Sequence, residues 1–184
     1  MSVRDDFYSY YEAHEADVML EEITSCERNK RILRWLRGGH DEGIKFMRFQ
    51  GNDRQWSYPP GINLNDFALS KCNDLGWLGY FIGKSKQDFQ LSIRGSTDEK
   101  GEDQRIINAL FDGITRNRSI REVSLTHLSN EGFAAIARIL DNMTHQLEGL
   151  HVGGCVDNDN TLETLLESGI KLKYLSLTSW VAAS

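Results

Sequence analysis

Ile120-Arg-Glu-Val123-Ser-Leu125, Leu147-Glu-Gly-Leu150-His-Val152 and Leu172-Lys-Tyr-Leu175-Ser-Leu177 are three copies of one pattern, an aliphatic residue followed three and five positions later by two more. Val123 and Leu150 stand 27 positions apart, and Leu150 and Leu175 stand 25 apart. A period of this length marks a repeated strand-plus-helix unit that buries its apolar faces only against its neighbours. Between the first two copies Phe133, Ile136, Ala137 and Leu140 recur at helical spacing and share one face. Helix starts are expected at Ser129, which can cap the run from Asn130, and at Asn160, which forms a capping box with Glu163 ahead of Leu165 and Leu166.

The period extends upstream. Leu91 and Ile93 match Val123 and Leu125 at an offset of 32, with Asp88 in the first aliphatic slot. A helix is expected over Asp74 to Gly83, where Leu75, Leu78 and Ile82 share a face, and another through Ile106, Ile107, Leu110, Phe111 and Ile114. Ile44, Met47 and Phe49 make the earliest match. Asn52 to Ile62, which holds Pro59 and Pro60, reads as a loop insertion in an irregular first repeat. The resulting strands are 45–49, 90–94, 121–126, 148–153 and 173–178, all parallel. Ahead of them, Asp5 to Arg37 reads as two helices broken near Thr24-Ser25, with Thr24 and Glu27 as a capping box and Gly38-Gly39 as the stop. This divides one continuous domain into a helical cap, 1–40, and a repeat region, 41–184, with its insertion near 52–62.

These residues resemble leucine-rich repeat proteins of the ribonuclease-inhibitor-like class. The resemblance implies an α/β solenoid with parallel strands on a concave face, helices on a convex face, and the N-terminal helices as a cap. It also implies a scaffold for protein binding. The class usually places Asn or Cys three residues after the last strand aliphatic; Leu128, Cys155 and Trp180 hold that slot, so only Cys155 conforms.

Composition narrows the function. Of 184 residues 40% are hydrophobic, enough for a core without disulfides or metal, and a formal charge of -6 argues against a nucleic-acid binder, whose partner's phosphates need a basic face. Cys26, Cys72 and Cys155 are far apart and lack a Cys-x-x-Cys pair, which reads as buried thiols and no structural metal. The N-terminus lacks signal-peptide order and no apolar stretch reaches membrane-spanning length, so an intracellular, cytoplasmic or nuclear, protein without membrane contact is expected. The run Arg28, Lys30, Arg31, Arg34, Arg37 reads as the solvated face of a helix whose buried side is Ile32, Leu33, Trp35 and Leu36.

Strand alternation sends the residues between the aliphatics to the concave face. Arg48, Arg94, Glu122, His151 and Tyr174 are the candidate partner-binding residues there, and Trp56 and Tyr58 are candidates on the proline-stiffened loop. The expected function is a non-catalytic protein-protein interaction module with no cofactor. The alternatives are the substrate-recognition part of a regulatory assembly, such as a ubiquitin-ligase adaptor, or a hydrolase using His151 with Ser124 and Ser176. The few residues after Leu177 lead to one more expectation: an uncovered strand edge, Tyr174 to Thr178, that supports self-association unless Trp180 plugs it.

Overall fold

In the computed structural model, residues 3–38, 46–50, 65–68, 71–88, 90–94, 111–128, 130–143, 146–157, 160–178 and 181–182 are described. They form a mixed α/β structure around a sheet whose strands all run parallel. Its members are β1 (Phe46–Gln50), β2 (Asn65–Ala68), β3 (Gln90–Arg94), β4 (Glu122–Thr126), β5 (Gly149–Gly153) and β7 (Tyr174–Thr178), in the order β2-β1-β3-β4-β5-β7. The pairing aligns the aliphatic slots. Leu91, Val123, Leu150 and Leu175 form one ladder, and Ile93, Leu125, Val152 and Leu177 form the next. A one-residue slip would turn every one of these side chains to the other face, so the shared alternation selects the register.

Parallel neighbours require a crossover, and from β2 onward the described connections contain helices. α4 (Leu75–Lys84) leads into β3, a helical run over 111–116, here α5, leads into β4, and α6 (Asn130–Asp141) and α7 (Thr161–Glu167) follow β4 and β5. Phe133, Ile136, Ala137 and Leu140 are buried, as their spacing requires. α4 begins where expected, with the Asp74 carboxylate accepting from the Gly76 amide, and every residue from Leu75 to Ile82 is buried. The turn after the strand recurs. His127 and Gly154, 27 positions apart, both take left-handed backbone, at φ 56° and 61°, and their amides donate to Gly153 and Thr178 carbonyls of the next strand. Beyond that turn β6 (Val156–Asp157) pairs in parallel with β8 (Val181–Ala182), two short strands the repeat pattern does not announce.

Asn117 is the polar keystone of the α5–β4 connection. It is fully buried; its amide donates to the Ile82 and Ser85 carbonyls at 2.6 and 3.1 Å, and its side-chain oxygen accepts from the Ser119 and Ile120 amides. Four backbone groups are thereby given a side-chain partner, the Ile82 carbonyl in addition to the Ser85 amide it already accepts from.

The N-terminal helices are α1 (Val3–His14), α2 (Leu20–Ile23) and α3 (Glu27–Leu36), and α3 stops at Gly38, whose φ of 102° suits a left-handed glycine terminus. Tyr11, Trp77 and Tyr80 form a triangle of rings, with Trp77 edge-on to Tyr11 at 4.8 Å and to Tyr80 at 5.9 Å and the two tyrosines stacked at 6.2 Å, and the Glu15 carboxylate accepts from Tyr80 and Lys84, fastening the end of α1 to α4.

Three expectations need correction. Thr24 does not cap α3. It ends α2, pairs with Cys72 in an antiparallel bridge and donates its hydroxyl to the Lys71 carbonyl at 2.6 Å, leaving Cys26 as an N-cap without a side-chain bond. Asn160 precedes α7 without capping it, because its left-handed backbone, φ 53°, is not the extended conformation from which a side chain reaches the first turn. β2 was not anticipated: one fully buried aromatic, Phe67, carries it, and it adds to the sheet outside β1. The expected Ser129 cap, residues 106–110 and the 52–62 insertion lie outside the described residues.

Candidate partner-binding face

On β4, β5 and β7 the residues alternating with the aliphatic slots fall into three rows across the strands: Glu122-Gly149-Tyr174, Ser124-His151-Ser176 and Thr126-Gly153-Thr178. Each row is closed from the β7 side. The Tyr174 ring lies over Gly149, where a Cβ would collide with it, and its hydroxyl is hydrogen-bonded to the Glu122 carboxylate two strands away. Ser176 is hydrogen-bonded to His151 Nδ1 at 3.0 Å. Thr178 covers Gly153, with Oγ1 2.6 Å from the place of a Cβ there and His151 Nε2 at 3.2 Å.

The two glycines are therefore not open floor for a partner, as an interface of small residues suggests. Their missing side chains make room for Tyr174 and Thr178 of the same chain. Tyr174 still offers a surface, being 46% exposed. Partial burial, together with the hydrogen bond and charge of Glu122, pushes its phenol up to about 12, since the phenolate would face a carboxylate in a less hydrated place.

Among the candidate residues, Glu122 and Tyr174 are in direct contact, with His151 one row away. Register places Arg94 in the row of Thr126 and Arg48 in the row of Ser92. At about 4.8 Å per strand and 3.3 Å per residue, Arg94 stands three strands across and four residues along from Tyr174, roughly 19 Å away, and Arg48 four strands across and two residues along, roughly 20 Å away. Their side chains, with Trp56 and Tyr58, lie outside the described residues. Ser92, expected on the open face, is 2% exposed.

Of the basic run, Arg28, Arg31, Arg34 and Arg37 are exposed, as a solvated helix face requires, and Lys30 is buried. Lys30 lies between Glu21 and Glu27, at 3.3 and 2.7 Å, and Arg37 donates to the Glu15 carbonyl while its guanidinium lies over the Phe81 ring. For the hydrolase alternative, a Ser-His contact is present but points through Nδ1, and Glu122, the carboxylate in the adjacent row, is engaged by Tyr174. Among the described residues no group of three or more His, Cys, Asp or Glu could hold a metal ion, and no helix is long and apolar enough to cross a membrane. No protein-family model matches the chain, and no curated protein matches it.

Proposed function

We propose that this chain is a leucine-rich repeat solenoid of the ribonuclease-inhibitor-like type, capped by its N-terminal helices, and that it binds a protein partner on the concave face. What supports the reading is the row Glu122-Gly149-Tyr174. An aromatic ring is held in one orientation by a glycine beneath it and a carboxylate beside it, and half of it faces outward. An anchor fixed before docking loses little side-chain entropy on binding, and tyrosine is among the residues enriched at interface hot spots. The parallel strands extend the surface away from Tyr174 towards Arg94 and Arg48.

The experiment is site-specific photo-cross-linking in native extract, with the photoreactive residue at position 174 or, as a control on α7, at Glu163. Adducts from position 174 that are lost on Arg94→Ala support the concave face. Adducts from Glu163 with none from 174 would move the interface to the helices.

A further inference from the structure

α6 and α7 pack against one another, and between them lies a cleft of about 300 Å³. Its apolar part is formed by Ala134 and by the buried Ala137 and Leu165. Arg138 and Asp141, one helical turn apart on α6, line the same cleft. Both are exposed, and among the described residues neither side chain makes an ion pair or a hydrogen bond. Opposite them stand two hydroxyls. Thr164 donates to the Asn160 carbonyl at 3.1 Å and Ser168 to the Leu165 carbonyl at 2.7 Å, so both oxygens keep lone pairs with which to accept. Asp141 is the last residue of α6, where the helix dipole disfavours a carboxylate. Arg138 precedes it by three, the less favourable order for an ion pair within one helix. Helix stability therefore does not account for Asp141, whereas an ammonium group would meet both its carboxylate and the negative end of the helix.

We infer that this cleft binds a free α-amino acid with an aliphatic side chain, its carboxylate on the Arg138 guanidinium, its ammonium group on Asp141 and its side chain over Ala134, Ala137 and Leu165. The site does not depend on the concave-face reading. Charge balance selects the ligand class. One cation and one anion, separated by about 4.5 Å of helix rise, match the opposed charges that an amino acid carries on a single carbon. A polyanion would be repelled by Asp141 and a simple cation by Arg138. A protein terminus brings only one of the two charges. Size agrees, since a cleft of about 300 Å³ stands at the small end of ligand pockets. Because Arg138, Asp141, Thr164 and Ser168 are all exposed, water screens both ion pairs, and a dissociation constant on the order of a millimolar is expected.

Amide NMR of the 184-residue chain titrated with L-leucine reads the site directly. Saturable shifts are expected at residues 134–141 and 161–168, the two walls of the cleft. N-acetyl-leucine and leucine amide each lack one of the charges, and each should bind roughly three- to fivefold more weakly, the size of an exposed ion pair. Arg138→Gln and Asp141→Asn should weaken leucine by a similar factor. Asp141→Asn carries a second readout: by removing a carboxylate from the end of α6 it should raise the melting temperature while binding falls, a combination that a purely structural residue does not give. No saturable shift below about 20 mM leucine, blocked leucines that bind as well as the free amino acid, or unchanged affinity in both variants would each overturn the proposal.

Discussion

The β2 and β7 ends of one sheet differ in what covers them. At the β2 end Asn29 supplies the hydrogen bonds a neighbouring strand would make, and Phe67 is fully buried. At the β7 end Leu175 and Leu177 occupy the same pattern slots as Leu150 and Val152, which are 0% exposed, yet remain more than a third exposed. Identical pattern positions therefore have different energetic weight. Alternation sets which way a side chain points, and the neighbour decides what that direction contributes.

The sharpest test of this contrast is truncation at two matched slots. Leu150→Ala should cost about 3–4 kcal/mol in urea denaturation and Leu175→Ala about 1 kcal/mol, because little further cavity opens at a side chain already in water. Equal losses would mean that β7 is covered in solution. Next in size is Asn29→Ala, expected to cost about 2–3 kcal/mol by stranding the buried backbone groups of Ala68. Hydrogen exchange at the Ala68 amide should accelerate in that variant, and unchanged protection would show that the clasp is not what closes the β2 end.

The β7 end offers a titration. With its phenol raised to about 12, Tyr174 is held neutral by the fold above the pH at which a free tyrosine ionises, near 10. The unfolded chain then binds fewer protons than the folded one, so this contribution is complete below pH 10 and is lost as pH rises through 12. Glu122→Gln removes the charge, and the Tyr174 transition, followed by NMR of labelled tyrosine, should move down towards 10; an unmoved transition would leave burial as the whole cause. The smallest effect is expected from Ser176→Ala, about 0.5 kcal/mol, for a half-exposed hydrogen bond to His151.

The parallel strands and their register were legible in the sequence because aliphatic slots repeat and a parallel sheet aligns them. The Gly149-Tyr174 contact follows from the same register, which sets those two residues opposite one another, although spacing alone does not say that the ring folds over the glycine. The cap was legible only as helices. The Thr24 hydroxyl serves the Lys71 carbonyl 47 residues away, so a local capping rule pairs it with Glu27 instead, and Asn29 serves Ala68 across 39 residues, a contact no local pattern announces. β2 escaped notice because four residues with one buried aromatic carry no period.

The Asn29 clasp also bears on the order in which the molecule is made. A chain synthesised from its N-terminus produces α1, α2 and α3 first, and the donor and acceptor on Asn29 find their counterparts only when Ala68 emerges 39 residues later. From that point the nascent sheet presents one growing edge, and β3, β4, β5 and β7 are added to it in the order in which they are translated. At each stage the newest strand is the sticky one, with its aliphatic residues waiting for the next. The surface on β7 thus repeats a state that every earlier strand has passed through, and a ribosome-bound intermediate halted after β4 or β5 should expose its newest aliphatic ladder in the same way.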